Sequence, residues 1–251
     1  MKFKLSIKYF LLIAAVIFSC GCTTIYNSAT ERNETLLINT ASEVSMGKEM
    51  DTEVRKKMKI LSDPIKQRRL DSIAKRVANV SDRLDLEYHF GIVKDKEFNA
   101  FAIPGGFIYV NSGLMDAATD DELACVIAHE IGHVAARHSV KQLQTTLGYQ
   151  IVIGIALGIS GQQTMGKAMD IVYNLISLGY SRKDELLADK LAVRYAKRSG
   201  FNPYGMVTFF EKLKKESASG PTHYNPVFLS SHPAIDQRII NVENEIALQK
   251  S

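Results

Sequence analysis

The sequence of 251 residues predicts an α+β fold that is mostly helical and carries a small antiparallel sheet. Apolar residues recur at helical spacing between Leu123 and Val134, which is typical of a helix packed against a core. Residues 86–93 alternate in the manner of a half-buried strand. Two strand-like runs, residues 98–103 and 107–111, flank Pro104-Gly105-Gly106 and predict a hairpin. With 46% apolar residues, the chain is long enough to bury one core.

The first residues of the chain resemble a secretory signal. Lys2, Lys4 and Lys8 precede an apolar run over residues 9–18. This run is shorter than the ~20 residues that a membrane-spanning helix needs. The pattern therefore favours a signal segment over a transmembrane anchor.

Ser19-Cys20-Gly21-Cys22 follows this run and resembles a bacterial lipobox, in which a cysteine becomes the lipid-modified first residue of the mature protein. Cys22 is the predicted lipidation site because Gly21 and other small residues precede it. Cys20 is one alternative, and a soluble exported protein released by ordinary cleavage is another. Lipidation predicts a cell-envelope protein held to the membrane by its N-terminal lipid. Thr23 resembles the sorting pattern for the periplasmic face of the outer membrane, if the host is Gram-negative.

These features divide the chain into three predicted parts. Residues 1–21 are expected to be a lipoprotein signal peptide. Residues 22–40 are polar and turn-rich, and predict a tether between the lipid and the domain. Residues 41–251 are expected to form one domain.

The composition of the mature chain limits its partners. Residues 1–21 contain three lysines and no acidic residue, so their removal lowers the net charge from +4 to +1. We expect no nucleic-acid partner from this balance. With Cys22 acylated, Cys125 is the single remaining thiol and forms no internal disulfide. We expect Cys125 to pack in the core rather than to bind a metal.

Further helices are predicted on both sides of the hairpin. Residues 43–60 and 67–84 look amphipathic and are interrupted at Asp63-Pro64. Two apolar runs, residues 151–159 and 171–178, are too short to span a bilayer. We interpret them as buried helices or a hydrophobic flap near the cleft or membrane, in preference to a transmembrane hairpin.

Residues 129–133 read His-Glu-Ile-Gly-His and lie in the predicted central helix. Residues four apart share one face of a helix, so His129 and His133 can bind one metal ion. Glu130 then lies beside the position of a water molecule that the metal activates. Gly132 is a poor helix former, and its presence indicates that another element packs close to the backbone.

A second acidic pair at helical spacing supplies candidates for a third ligand. Glu185 and Asp189 lie four residues apart in a helical pattern that opens at Ser181. One carboxylate can bind zinc while the other accepts a hydrogen bond from a ligand histidine. The alternative is an exposed charged helix, because Arg182 and Lys183 are typical of solvent-facing positions.

These two motifs together resemble the gluzincin family of HtpX-like and CAAX-prenyl-protease-like metallopeptidases. The first motif is His-Glu-Ile-Gly-His, and the second is Ser-Arg-x-x-Glu-x-x-Ala-Asp over residues 181–189. Further matches occur at residues 99–102, 105–110 and 231–233, within a resemblance that covers residues 41–245. Within the family, the chain resembles the bacterial lipoprotein branch, of the compact LoiP type rather than the BepA type, which has a helical-repeat extension.

The resemblance implies a zincin-like metallopeptidase fold in which the small sheet lines the cleft. It implies one zinc ion (Zn2+) per chain, with three protein ligands: His129, His133 and Glu185. It also implies that Glu130 is the general base and that Asp189 is an acid that supports a ligand or handles a proton.

His232, in the motif Ser231-His232-Pro233, lies near the metal by the same resemblance. In this family the histidine either helps to stabilise the oxyanion or occupies the open position of the zinc in a resting state. A structural alternative also exists, in which His232 precedes a helix that starts with Pro233 and extends to about Leu248. The structural and functional roles are compatible.

The expected function is therefore a lipid-anchored, zinc-dependent endopeptidase that cleaves envelope polypeptides, such as misfolded or misassembled proteins. Two other classes of function compete with it. The chain could be a chaperone-like module that assists outer-membrane protein assembly, with proteolysis secondary. It could also be an anchored structural lipoprotein whose metal stabilises the fold, in which case the zinc site would be closed.

Overall fold

A computed structural model of the chain describes residues 23–146, 179–218, 232 and 234–249. The predicted signal peptide, Cys20, Cys22 and the two apolar runs at 151–159 and 171–178 lie outside this part. Among the helices that are described, none has the length and apolar character required to cross a membrane.

Helices form most of the described structure. They are α1 (Thr40–Lys57), α2 (Pro64–Ala78), α3 (Ser112–Ala117), α4 (Asp120–Ala135), α5 (His138–Thr146), α6 (Arg182–Arg198), α7 (Gly205–Ala218) and α8 (Ile235–Leu248). The strands are β1 (Thr23–Asn27), β2 (Arg32–Leu36), β3 (His89–Val93), β4 (Ala100–Ile103) and β5 (Phe107–Asn111). A single 3₁₀ turn, Pro104–Gly106, joins β4 to β5. The predicted α+β class, mostly helical with small sheets, is confirmed.

The sheet near the centre has the strand order β3-β5-β4. β4 and β5 pair antiparallel, which confirms the predicted hairpin. β3 runs parallel to β5, so the sheet is mixed rather than wholly antiparallel. β4 pairs with one edge of β5 and β3 pairs with the other. The connection from β3 to β5 contains β4 and the turn. Parallel pairing of this kind depends on a crossover and leaves no local sequence signal.

The segment predicted as a tether is folded. β1 and β2 form an antiparallel hairpin, and the buried residues Leu36 and Ile38 follow into α1. The Asn27 side chain accepts a hydrogen bond from the Ala29 amide at 2.9 Å and donates one to the Ala135 carbonyl at 3.2 Å. Backbone pairing, buried Leu36 and the hydrogen bonds of Asn27 hold these strands, and the polar composition of the segment does not reveal such contacts.

Several helix boundaries differ from the predicted ones for local reasons. α2 begins at Pro64 because the Asp63 carboxylate accepts hydrogen bonds from the amides of Ile65 and Lys66, and proline suits a first helical position. α8 begins at Ile235, after Ala234 in a left-handed conformation with φ 66°. The predicted helix start at Pro233 is therefore wrong, and His232 does not act as its entry residue.

α4 is the central helix, and every residue from Glu122 to Ala135 is buried. Thr119 and Glu122 form a capping box at its start, in which each side chain bonds the other residue's amide. α4 packs against α2, α6, α7 and β4. At Gly132, a Cβ atom would lie 3.1 Å from the Ala188 carbonyl oxygen of α6. The close approach predicted from this glycine is present, and it brings α6 against the histidine motif.

Candidate metal centre

His129 and His133 occupy one face of α4, as their spacing predicts. Their Nε2 atoms lie 3.0 Å apart, and both side chains are buried. Two neutral imidazole nitrogens do not attract each other at this distance unless a proton or a cation lies between or beside them. The two nitrogens therefore point at one position, which a hydrogen-bond proton or a cation can occupy.

α6 brings a carboxylate to the same point. Glu185 Oε2 lies 3.5 Å from His129 Nε2, and Oε1 lies 3.4 Å from His133 Nε2. Glu185 is buried at the α4–α6 contact, so the alternative of an exposed charged face does not hold for this residue. That alternative does describe Arg182 and Lys183, which are exposed.

His232 completes a set of four donors. Its Nδ1 atom lies 3.0 Å from Glu185 Oε1 and 3.4 Å from His129 Nε2. One ligand atom from each of His129, His133, Glu185 and His232 lies within 4.8 Å of all the others. A tetrahedral zinc ion with bonds of ~2.0–2.1 Å places its donors about 3.3 Å apart. The contacts that His129 makes with the other three donors, at 3.0–3.5 Å, are close to this spacing.

The charges around the donors also fit a divalent cation. Three buried carboxylates, on Glu130, Glu185 and Asp189, face one buried guanidinium, on Arg238. One cationic arginine leaves this group of four residues with an excess of negative charge, which two further positive charges would neutralise. Burial of unbalanced charge is strongly unfavourable, so the donor set suits zinc in both geometry and charge.

Glu130 contacts this centre from the next position of α4. Its Oε1 atom is buried, lies 3.7 Å from His232 Nε2, and has no hydrogen-bond partner among the described residues. A buried carboxylate oxygen without a partner is costly unless water or a substrate group completes it. The position therefore suits an oxygen that accepts a proton from a water molecule.

Asp189 orients the first histidine. Its Oδ1 atom lies 2.9 Å from His129 Nδ1, so the neutral imidazole keeps its proton on Nδ1 and presents the Nε2 lone pair to the metal position. Glu185 and Asp189 thus share one face of α6, and each contacts His129 on a different nitrogen.

Arg238 of α8 is a functional-site residue that the sequence reasoning missed. It donates from Nη1 to Glu185 Oε2 at 2.8 Å, and from Nε and Nη2 to both oxygens of Asp189. Its guanidinium also lies over the Phe210 ring, 4.6 Å from the centroid. Arg238 is 49 residues from Asp189, so no local spacing could have predicted the contact.

His138 and Tyr180 were also missed. His138 Nδ1 lies 2.8 Å from His133 Nδ1, and the Tyr180 ring stacks on His133 at 4.0 Å between centroids. His138 follows a break between α4 and α5 at Arg137, where φ is 56°. Helical periodicity does not extend across such a break, so only the occurrence of a third histidine near the motif could have drawn attention to it.

The protein groups alone set opposite protonation preferences for the two motif histidines. Burial and Arg238 lower the pKa of His129, but hydrogen bonds to Asp189 and Glu185 outweigh them and raise the pKa to about 9. Burial lowers the pKa of His133 to about 3. Burial also raises the pKa of Glu130, as suits a carboxylate that accepts a proton during turnover.

Burial acts against the charged form of Glu185, but His232 and Arg238 outweigh it. They hold the pKa of Glu185 well below its ordinary value, so this carboxylate is ionised and available to a cation. Cys125 is buried one turn before His129, and desolvation raises the pKa of its thiol. It belongs to the hydrophobic core and not to the cluster of four donors.

Comparison with known proteins agrees with this geometry. Residues 64–246 match the model of peptidase family M48. Metalloprotease LoiP of Escherichia coli (strain K12) is 32% identical over 183 residues, which cover 72% of this chain and 70% of that protein. Metalloprotease YcaL of the same organism is 32% identical over 188 residues, which cover 73% of this chain and 71% of that protein.

A longer relative matches over more of the chain. Beta-barrel assembly-enhancing protease of Escherichia coli (strain K12) is 28% identical over 244 residues, which cover 92% of this chain but 48% of that protein. The chain therefore spans about half the length of this relative. The predicted resemblance to a zinc metallopeptidase family is confirmed by the family match and by the names of these relatives.

Proposed function

Because the chain belongs to peptidase family M48, we propose that it is a zinc-dependent endopeptidase that hydrolyses envelope polypeptides. The observation that carries the proposal is the group of four buried donors that converge on one position. Beside it lies Oε1 of Glu130, a buried oxygen with no hydrogen-bond partner in the part of the chain that the structure describes. A structural zinc site is closed by its ligands and has no use for a neighbouring buried base. This buried oxygen, which no described residue contacts by a hydrogen bond, therefore favours catalysis over a purely structural metal.

The proposed ligands are His129, His133 and Glu185, with one zinc ion per chain. When bound, zinc supplies Lewis acidity toward a peptide carbonyl and toward water. Asp189 holds His129 in the tautomer that presents Nε2. Arg238 holds Glu185 and Asp189 in place and offsets part of their charge.

Glu130 is the proposed general base. Its Oε1 atom accepts a proton from the water that attacks the scissile carbonyl carbon. The same carboxyl group then donates this proton to the leaving amine as the carbon–nitrogen bond breaks. Burial raises the pKa of Glu130, which makes its carboxylate a stronger base toward this water.

The Glu130→Gln variant tests this proposal. Glutamine keeps the size of the side chain but cannot accept the proton, so we expect a loss of about 10²–10⁴-fold in kcat with zinc still bound. Turnover of a fluorogenic peptide and metal analysis measure the two properties. Glu211→Gln, an exposed carboxylate on α7, is the matched control and should retain wild-type turnover. Near-native turnover of Glu130→Gln would exclude the mechanism.

His232 is proposed to occupy the fourth corner of the metal site in a resting state. The support is its Nδ1 atom, which lies among the donors at 3.0 Å from Glu185. A ligand at this corner competes with the water that Glu130 must deprotonate. The resting enzyme would then be self-inhibited until the His232 side chain leaves this corner.

The His232→Ala variant distinguishes this role from oxyanion stabilisation. Removal of a resting ligand should increase cleavage of a small fluorogenic peptide. Removal of an oxyanion donor should reduce it by up to about 10²–10³-fold. If both the peptide kinetics and the zinc affinity match the wild type, His232 has only a structural role.

The proposed location is the cell envelope, with a lipid on Cys22 that holds the domain to the membrane. The support is the sequence of residues 1–22. Mass spectrometry of the mature N-terminal peptide tests it, since a Cys22 bearing acyl groups is expected and Cys22→Ala should abolish membrane retention. Retention that depends on Cys20 instead would move the lipidation site.

A second candidate function is assistance in the assembly of outer-membrane proteins, with proteolysis secondary. The name of one relative, beta-barrel assembly-enhancing protease, supports this second function. The same Glu130→Gln variant discriminates between the two functions. A variant that has lost peptidase turnover but still supports assembly in a reconstituted assay would favour the chaperone-like function.

A further inference from the structure

The Nδ1 atoms of His129 and His133 face different partners. A neutral imidazole that gives its Nε2 lone pair to a cation carries its proton on Nδ1, and this N–H needs an acceptor. For His129 the acceptor is the carboxylate of Asp189. For His133, the Nδ1 atom faces His138 Nδ1 at 2.8 Å, and both rings are buried.

A hydrogen bond between two Nδ1 atoms requires that one ring donates and the other accepts. If His133 donates from Nδ1, His138 must hold its own proton on Nε2. His138 Nε2 lies 3.3 Å from Asp184 Oδ1, a carboxylate that can accept this second proton. The three side chains therefore form a chain of donors with one direction, from His133 through His138 to Asp184.

A break in the helix at Arg137 places His138 beside His133. Five residues along a continuous helix would place His138 on a different face from His133. Arg137 instead adopts a left-handed conformation with φ 56°, which ends α4 and starts α5 in a new direction. Arg137 is fixed there by hydrogen bonds to Glu43 at 2.8 Å and Thr40 at 2.9 Å, both on α1. A non-glycine residue keeps a left-handed conformation only when its surroundings hold it.

We propose that His138 is a positioning residue, which Asp184 holds in the Nε2–H tautomer so that its Nδ1 atom accepts the proton of His133 and aims His133 Nε2 at the metal. Tyr180 supports the same orientation because its ring stacks on the ring of His133. This inference rests on the proposed function only in taking His133 as a ligand.

Two amide substitutions at His138, to Asn and to Gln, distinguish a positioning role from a merely structural one. In His138→Asn, the amide oxygen takes the position of Nδ1 and can still accept from His133. In His138→Gln, the amide extends to the position of Nε2 and misses His133. Thr145→Val is the control. Thr145 and His138 line the same surface pocket, and the hydrogen bonds of Thr145 within the described residues go to carbonyls of its own helix.

The measurement is zinc affinity by competition with a chelator, on the full mature chain. We expect His138→Gln to lose about 10–100-fold, as for other partners that orient a ligand, and His138→Asn and Thr145→Val to remain within about 3-fold of the wild type. ¹⁵N-histidine NMR of the zinc-loaded protein should show His133 with its proton on Nδ1 in the wild type and in His138→Asn. Equal affinities for His138→Asn and His138→Gln would overturn the proposal.

Asp184→Ala keeps the proposal testable if a substitution at the buried His138 prevents folding. The Asp184 side chain is partly exposed, so its removal should not unfold the protein. We expect a loss of zinc affinity at the lower end of the same range and a mixture of His138 tautomers in the NMR spectrum. Wild-type affinity with an unchanged tautomer would overturn the role of Asp184. If the wild-type protein binds no zinc, the proposed function fails. If it binds zinc and the His138→Asn and His138→Gln variants have equal zinc affinities, only the role proposed for His138 fails.

Discussion

Each of the two motif imidazoles has one nitrogen for the cation and one for a neighbouring side chain. Asp189 fixes the first histidine, while the second is fixed through His138. Arg238 then ties both carboxylates of α6 to α8. The residues that bind the cation are therefore only part of the centre, since their tautomers and charges depend on side chains outside the motif.

Zinc binding is expected to release a proton, because hydrogen bonds raise the pKa of His129 to about 9. Below this pH His129 carries a proton on the metal-free protein, and the cation must displace it. The logarithm of the apparent association constant should therefore rise by about one per pH unit between pH 6.5 and 8.5, and level off above pH 9. Chelator competition at a series of pH values measures this slope.

The Asp189→Asn variant checks the cause of that slope. Asparagine removes a negative charge that stabilises protonated His129, so the levelling should occur at a lower pH. Lys190→Ala, an exposed change on the same helix, should leave the profile unaltered. A wild-type affinity that is flat from pH 7 to 9 would contradict a raised pKa for His129.

The sequence predicts this centre to the extent that its residues share a helix. Helical spacing alone places His129 and His133 together and gives Glu185 and Asp189 a common face. The contact between the two helices has a signal as well, since Gly132 indicates a close approach. No local sequence signal marks Arg238 or His138. Arg238 lies on a distant helix, and His138 lies beyond the helix break at Arg137.

At the scale of elements, the histidine helix is held from both ends. Its start is fixed by the capping box of Thr119 and Glu122. Its end meets the β1–β2 hairpin, where Asn27 donates to the Ala135 carbonyl. A carbonyl in the last turn of a helix lacks an intrahelical partner, so the asparagine supplies one that would otherwise be missing.

Asn27→Ala is therefore expected to lower the free energy of unfolding by about 1–3 kcal/mol. The substitution leaves the buried Ala135 carbonyl and the Ala29 amide without their partner. Denaturant unfolding of the metal-free protein measures the change, and Ser28→Ala, at an exposed position of the same turn, is the control. An unchanged midpoint would show that the hairpin contributes little to the fold.

The sequence predicted long periodic elements better than short paired ones. α4 and the β4–β5 hairpin match their predicted positions because apolar periodicity and a Pro-Gly-Gly turn define them locally. The β1–β2 hairpin and the parallel pairing of β3 depend on partners that are distant or polar. Local sequence patterns carry no signal for such partners, so residues 22–40 were predicted as a tether and the small sheet as antiparallel.

For the whole molecule, the candidate metal centre joins parts of the chain that lie far apart. Its donors come from α4, from α6 and from His232, which precedes α8. Arg238 adds a second link between α8 and α6. A cation bound to donors from separate elements favours the folded state, because the unfolded chain does not hold those donors together.

Zinc is therefore expected to raise the melting temperature substantially. At free zinc 1,000-fold above its Kd, binding stabilises the fold by about 4.1 kcal/mol. For a domain of this size, each kcal/mol shifts Tm by about 2–4 °C, so the rise should be about 8–16 °C. Calorimetry with zinc and with a chelator measures it, and Glu211→Gln should show the full rise. Glu185→Ala should lose most of it, because one of three proposed ligands is gone.

The same experiment on His232→Ala tests how α8 is held. If His232 binds the cation at rest, its removal releases one of the three separate segments from the metal, and the zinc-dependent rise in Tm should be smaller than in the wild type. If His232 contacts only substrate, the rise should equal that of the wild type, because the cation then depends on α4 and α6 alone. Glu185→Ala gives the smallest expected rise in Tm, because Glu185 is the donor from α6. A full wild-type rise in His232→Ala would therefore exclude the resting ligand, whatever the peptide kinetics show.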